Sequence, residues 1–210
     1  MPAISTNTAA NSAVRYLNIN SMQETSALSK LSSGSRITSA SDDAAGLAIS
    51  TRISSDITTL QQAATNASQA TSILQTADGG AANISNILTR MKSLASESAS
   101  GTVTDSSRVY IQAEFSQLSS EIDSIASGTS YSGQNLLDGT SAFATGVNVL
   151  VGSSSADSVN VTIANLSVAS LGIGGLDVST ETGATAAMTT LDTAINTVSA
   201  ARATIGAQES

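Results

Sequence analysis

Asp42 and Asp43 stand side by side, and two adjacent carboxylates are the start of a divalent-metal site or an acid/base pair. No third ligand follows nearby. A Ser41-Asp42-Asp43 run placed just before an apolar helical pattern also supplies what a helix N-terminus needs, a capping oxygen and negative charge in the first turn. Capping is the reading these residues favour. Glu121 and Asp123 lie beside an isoleucine stripe and read as the solvated side of a helix. Gly172-Ile-Gly-Gly175 has the glycines of a phosphate loop but no Walker lysine and no strand-to-helix context, which leaves a flexible connector. Asn66-Ala-Ser68, Asn83-Ile-Ser85, Asn160-Val-Thr162 and Asn165-Leu-Ser167 match glycosylation sequons. Such matches arise by chance in a chain this rich in Ser and Thr, and none is taken as a site.

The missing residue types narrow the chemistry further. The 210 residues include no histidine, cysteine or tryptophan. Histidine-based acid/base catalysis, a Ser-His-Asp triad and histidine metal sites are therefore excluded. So are disulfides, zinc fingers and thiol nucleophiles. Eight Lys/Arg against sixteen Asp/Glu argue against a nucleic-acid partner, which needs a basic face. No catalytic constellation remains, so the expectation is a non-enzyme without cofactors. No apolar run is long enough to cross a membrane, and the N-terminus Met1-Pro2-Ala3-Ile4 lacks the basic and apolar blocks of a cleaved signal.

With about three residues in ten Ser or Thr and about one in six Ala, well above ordinary usage, the chain is suited to thin helices packed on small side chains. The strongest periodic signal agrees. Leu60, Ala63, Ala67, Ala70, Leu74, Ala77, Ala81, Ile84, Leu88, Met91 and Ala95 follow one another at alternating spacings of three and four. That is an a/d seam of period 3.5, which holds a helix against a partner helix. Ile73, Ile87 and Leu94 widen the stripe, so a second partner is expected. Ile49, Ile53 and Ile57 extend the pattern upstream, predicting one helix from about position 42 to Gly101. Gly79-Gly80 is its weak point and a candidate kink.

Other elements flank this helix. Val14, Leu17, Leu28 and Leu31 predict a weakly apolar helix over about 6–31, closed by Ser32-Ser33-Gly34-Ser35. Asp105 is placed to cap a helix with Ile111, Phe115, Leu118, Ile122 and Ile125 on one face, ended by Gly128. Tyr131 to Gly139 is turn-rich. Val147, Val149 and Val151, then Val159, Val161 and Ile163, alternate around a polar loop and predict a β-hairpin. A last helix shows Met188, Leu191, Ile195, Val198 and Ile205 on one face. The expected fold is mainly α, a long antiparallel coiled-coil-like rod with a small β-hairpin insert. Its expected segments are 1–40, 41–139, 140–183 and 184–210.

One stretch is specific enough to name a family. Leu31-Ser-Ser-Gly-Ser-Arg-Ile-Thr-Ser-Ala-Ser-Asp-Asp-Ala-Ala-Gly-Leu-Ala-Ile-Ser50 resembles the signature of bacterial flagellin. The likeness continues through Gln75-Thr-Ala-Asp-Gly79, Arg90-Met-Lys-Ser-Leu-Ala95, Gln112-Ala-Glu114, Ser119-Ser-Glu-Ile-Asp123 and Tyr131-Ser-Gly-Gln-Asn-Leu-Leu-Asp-Gly139. Thr189-Thr-Leu-Asp-Thr-Ala-Ile195 and Ile205-Gly-Ala207 resemble the opening of the family's C-terminal helical region.

This resemblance implies a self-assembling structural subunit of the flagellar filament, exported through the flagellar type III apparatus without signal cleavage and located outside the cell. It implies as partners other flagellin subunits, an export chaperone, hook-associated proteins and an innate immune receptor. It assigns 5–31 to the innermost helix, 42–127 to the outer helices and about 140–183 to a short variable insert. Family members continue past Ser210, so the chain is expected to lack a C-terminal arm, to form no normal filament alone, and to have positions 1–40 mobile in solution. Arg90, Leu94 and Glu114 match the family's receptor patch, whereas Thr89 and Glu97 replace its usual glutamines. A hook–filament junction protein and a surface adhesin, with the β insert as its binding module, are the competing expectations.

Overall fold

The computed structural model describes residues 7–210. Positions 5 and 6 of the expected first helix lie outside the described residues. Two compact units divide at Thr58/Thr59.

The first unit, Met1–Thr58, contains helix α1, Thr8–Ser33, and the start of α2, Ala44–Ser98. Asn7 caps α1 by accepting from Ala10 N at 3.1 Å. Gly34 closes it in the left-handed region, φ +67°, where its N–H reaches Leu31 O, the usual glycine end to a helix. No residue of α1 is buried. Asp43 caps α2, accepting from Gly46 N at 2.9 Å through Oδ1. Asp42 does something else. Its Oδ2 accepts from Thr38 N at 3.2 Å, Thr38 Oγ1 at 3.1 Å and Ser39 N at 3.2 Å, and its Oδ1 pairs with Lys30 Nζ at 3.3 Å. The 34–43 connection is thus a structured turn tied back to the end of α1, and the capping reading holds for Asp43 alone.

The second unit, Thr59–Ser210, holds the core. Helix α3 is Asp105–Gly128 and helix α4 is Glu181–Glu209. Thr104 and Thr180 accept from Ser107 N and Gly183 N at the helix starts, so the α3 cap lies one residue before Asp105, which instead supplies first-turn charge. Both α3 and α4 run antiparallel to α2. Arg90 of α2 pairs with Glu114 of α3 at 2.6 Å, while Ser98, further along α2, meets Arg108 near the start of α3. Lys92 pairs with Asp192, and Asp78 pairs with Arg202 at 2.7 Å.

Between α3 and α4 the chain makes two small antiparallel sheets. β1, Ser130–Tyr131, pairs with β2, Gln134–Asn135. The turn between them has positive φ at both Ser132, 49°, and Gly133, 80°, the two-residue geometry that suits a hairpin's twist. After a 3₁₀ turn at Ala142–Ala144, β3, Val147–Leu150, pairs with β4, Ser158–Val161, with Val147 opposite Val161 and Val149 opposite Val159. The expected hairpin is present in that register, with Val151 and Ile163 just outside the strands.

The α2 seam is deeply buried over its second half. Leu74, Ala77, Ala81, Ile84, Leu88, Met91 and Ala95 are each at most 1% exposed, and Ala63 is 2% exposed. Leu60 is 49% exposed, and Ala67 and Ala70 are half-buried. Ser98 continues the spacing and is fully buried, its hydroxyl donating to Val178 O. Gly79 and Gly80 do not interrupt the helix. A Cβ on Gly80 would stand 2.6 Å from Thr129 Oγ1 and 2.7 Å from Leu137 Cδ1, so glycine here lets the β1–β2 region press onto the α2 backbone.

On α4 the buried face is Ala184, Ala187, Leu191, Ala194, Val198, Ala201 and Ile205. Spacings of three and four recur, so α4 carries a heptad of its own facing the core. This corrects the expected face: Met188 and Ile195 are only partly buried at its flank. The larger side chains suggested one stripe, but close helix packing selected the alanines.

Residues 162–180 contain no helix or strand, yet Ile163, Leu166, Ile173 and Val178 are at most 1% exposed. Buried irregular backbone needs partners for its N–H groups: Ile163 N and Leu166 N find the carbonyls of Phe143 and Leu137, and α3 provides two more. Asp123 accepts from Val168 N at 2.9 Å and Gln112 from Val178 N at 2.6 Å.

The helices deal with their hydroxyls internally. Ser116, Ser120 and Ser124 of α3 donate to the carbonyls four residues back at 2.9, 3.1 and 3.0 Å. Thr193 and Thr197 of α4 do the same at 3.2 and 2.9 Å, and Ser72 and Thr76 of α2 at 2.9 and 2.8 Å.

Candidate assembly surfaces

The seam residues are brought together with the α4 heptad in one hydrophobic cluster from Leu74 to Ala95. This is intramolecular packing, and it is continuous. Burying so many Ala, Leu and Ile side chains at roughly 25 cal/mol per Å² supplies the main favourable term of the second unit. Leu60, together with Ile49, Ile53 and Ile57 of the first unit, is instead at least 49% exposed. In the first unit Val14, Tyr16, Leu17, Met22, Leu28 and Leu31 are also more than half exposed. Isolated exposed apolar residues are ordinary, but a sustained run on two helices marks an interaction surface.

Arg90 and Glu114 stand on the outside of α2 and α3. Arg90 Nε and Nη2 both donate to Glu114 Oε1, at 3.0 and 2.6 Å, with about half of each side chain exposed. Leu94 is not with them at the surface. It is 2% exposed and belongs to the core cluster, so in this packing it offers a partner nothing. That removes one member of the expected receptor patch.

No periodicity or motif in the sequence singles out Arg108, yet it is central to the structure. Its side chain is only 7% exposed. Nε donates to Ser98 O at 2.8 Å, Nη2 to Ser100 O at 3.0 Å and Nη1 to Asp105 Oδ1 at 2.8 Å, with Glu181 Oε2 at 3.9 Å. One guanidinium therefore occupies the carbonyls where α2 ends and the carboxylates where α3 and α4 begin. The fork of donors at fixed angles makes arginine fit. Asp105, three residues before it, was the available signal, but an i,i+3 acid–base pair on a helix usually reads as surface decoration.

The other chemistry-bearing residues remain apart. Glu121 is exposed, and Asp123 is committed to Val168 N. Asp138 accepts from Thr140 N at 2.9 Å and Asn135 Nδ2 at 2.7 Å, which hold its carboxyl below the ordinary range. Asp177 is lowered by Ser179, through side-chain and backbone hydrogen bonds. Gly172 and Gly175 take positive φ in turns that lead toward α4. Asn66 reaches Leu150 O at 3.2 Å, tying the β3–β4 hairpin to α2. Among the described residues no three acidic side chains converge on a metal position, and no helix is long and apolar enough to cross a membrane.

Comparison with known proteins gives this packing a context. Residues 4–142 match the sequence profile of the bacterial flagellin N-terminal helical region. A flagellin of Clostridium tyrobutyricum is 47% identical over 137 residues, covering 65% of this chain and 36% of its own length. The flagellar filament 30.7 kDa core protein of Treponema maltophilum is 35% identical over 209 residues, covering 93% of this chain and 73% of its own. The crystal structure of Bacillus cereus flagellin superposes with TM-score 0.61 at 33% identity, over 68% of this chain and 81% of that one. The chain spans 36% to 50% of the length of several flagellins that it matches. A profile that takes in more than half of the residues, relatives of this identity and a shared fold lead to one conclusion: the chain belongs to the bacterial flagellins.

Proposed function

We propose that the chain is a structural subunit of the bacterial flagellar filament, self-assembling by helix packing and serving motility. The observation that carries this reading is the contrast along one heptad. The seam is buried from Leu74 to Ala95 in one cluster with the α4 heptad, whereas Leu60 and the isoleucines before it are at least 49% exposed, and no residue of α1 is buried. Apolar helix faces of this length need partners, and other copies of a homopolymer supply them. The subunit acts outside the cell after export by the flagellar apparatus, with a chaperone and hook-associated proteins as transient partners. Residues 1–40 form the inner region and its linker, 41–139 and 184–210 the outer helices, and 140–183 a short variable insert. A receptor that reads the outer helices would meet Arg90 and Glu114.

Immunogold electron microscopy with an antibody raised against residues 152–176 tests the reading in the organism that makes the chain. Gold along the length of flagellar filaments is the expected result. A single band at the filament base would favour the junction protein, and label confined to the cell body would favour the adhesin.

A further inference from the structure

In a chain without cysteine, sulfur chemistry falls to four methionines, Met1, Met22, Met91 and Met188. Met1 lies outside the described residues. Met91 sits in the buried seam of α2 at 0% exposed, and Met188 is partly buried at the flank of α4. Met22 of α1 is different, at 72% exposed. A thioether is oxidised as far as the oxidant can reach it, so the fold itself ranks these sites.

Met22 also has a wall beside it. It lines a groove of about 480 Å³ along α1, shared with Ser26 and Ser29 of the same helix and with Thr38, Ser39 and Asp42 of the turn that follows. Ser26 and Ser29 stand four and seven residues on, the spacing of one helix face. Asp42 holds the turn in place, accepting from Thr38 N and Ser39 N, both at 3.2 Å, and pairing with Lys30. The thioether of Met22 therefore has one side toward the chain and one toward water. We propose that Met22 is a reversible oxidation site, converted by peroxide to the sulfoxide from its open side. A lone pair on sulfur attacks one peroxide oxygen, and the S–O bond forms as the O–O bond breaks. The departing hydroxide takes the proton of the transferred oxygen and leaves as water, so sulfur loses the two electrons that the peroxide gains. The two lone pairs lead to opposite configurations at sulfur, and attack from one side gives one sulfoxide epimer in excess. The product puts a polar group where an apolar one stood, on a helix of which no residue is buried. Helix α1 keeps its fold while the character of one face changes. The site belongs to the chain while α1 is uncovered and stands apart from the filament reading.

The test exposes the full folded chain to dilute hydrogen peroxide and follows each methionine by peptide mass spectrometry. Met22 should oxidise faster than Met91 by about tenfold or more, and faster than Met188, with the three rates converging in concentrated urea. The epimers are told apart by treating the resulting peptides with methionine sulfoxide reductase A or B, each of which reduces one of them. One reductase should restore most of the Met22 from the folded sample, and each about half of that from the urea sample. Asp42→Asn, which loosens the turn without touching the thioether, should bring the folded ratio toward even and leave the Met22 rate within about twofold. Far-ultraviolet circular dichroism of the oxidised chain should match that of the untreated chain. A Met22 rate no greater than that of Met91 or Met188 overturns the site, and equal epimers in the folded parent overturn attack from one side. Loss of helical signal on oxidation overturns a change confined to one face. Each of these failures leaves the immunogold result on the filament reading intact.

Discussion

Arg202 grips Asp78 with two nitrogens, Nε to Oδ1 at 2.7 Å and Nη2 to Oδ2 at 3.1 Å. The pair joins α4 near its last turns to the middle of α2. The hydrogen bond from Arg202 holds the Asp78 carboxyl below its usual range, and the arginine is correspondingly raised. Both side chains are more than a third exposed, so solvent screens the pair and its coupling should be modest. A double-mutant cycle with Asp78→Ala and Arg202→Ala, read by urea unfolding, should give about 0.5–1 kcal/mol at pH 7. Because the folded carboxyl is depressed, this contribution is fully present above the unfolded value near ~3.9 and is lost as pH falls through the folded one. The cycle repeated in strong acid should return a coupling near zero.

Gly79 and Gly80 are adjacent in α2 but should respond oppositely to alanine. At Gly79 an added Cβ meets nothing within 4 Å, so Gly79→Ala should raise stability by about 0.5–1 kcal/mol through helix propensity. At Gly80 it would collide with Thr129 and the fully buried Leu137. Overpacking of this kind costs about 1–3 kcal/mol, enough to outweigh the same propensity gain. Thermal melts of the two variants should therefore move in opposite directions from the parent.

Replacing Arg108 by Met should lower stability by about 2–4 kcal/mol. The change removes hydrogen bonds to Ser98 O and Ser100 O in a buried position and leaves Asp105 and Glu181 without their cation. Arg108→Lys should rescue little, because one ammonium cannot span acceptors held by three separate guanidinium nitrogens. Denaturant midpoints for the two variants check both statements.

Leu88→Ala and Leu60→Ala remove the same atoms from the same seam. Leu88 is fully buried, and its loss should cost about 2–5 kcal/mol. Leu60 is 49% exposed, so its truncation should change the unfolding free energy of the isolated chain by less than about 1 kcal/mol. Equal effects in chemical denaturation would contradict the division of the seam into sealed and open halves.

Asp42 governs the turn that joins α1 to α2. Hydrogen bonds from Thr38, then the contact with Lys30, bring its carboxyl down to about 2. The folded value lies below the unfolded one, so the stabilisation is complete above the ordinary carboxylate range and fades as pH falls toward 2. Carbon-detected NMR should find Asp42 ionised at pH 3, and Asp42→Asn should release the amides of Thr38 and Ser39 to faster hydrogen exchange at neutral pH.

The helical plan was legible because period is a local property. Leu60 to Ala95 showed their seam in spacing alone, Gly34 and Gly128 marked helix ends, and alternating valines located the hairpin. Three things were not local. Which alanines of α4 are buried depends on the partner helix, and size misled toward Met188 and Ile195. The buried path of Ile163, Leu166, Ile173 and Val178 has no period, since part of its backbone is satisfied by the side chains of Asp123 and Gln112 some 45 and 66 residues away in sequence and part by the distant carbonyls of Phe143 and Leu137. Arg108 looked like any helical surface cation because its acceptors are carbonyls, which carry no residue type. At the candidate contact, Arg90 and Glu114 lie on the surface, but the burial of Leu94 follows from a stripe that wraps α2 toward a second partner.

The serine and threonine hydroxyls that bond the carbonyl one turn back have a consequence for assembly. A hydroxyl on an ordinary surface hands its proton to water, and covering that surface strands the donor at a cost of about 1–3 kcal/mol. Along α3 and α4 the protons of Ser116, Ser120, Ser124, Thr193 and Thr197 already rest on the helix's own backbone. A neighbouring molecule can dry these flanks without leaving a donor orphaned, so a helix that looks polar by composition behaves as a nearly inert wall when another is laid against it.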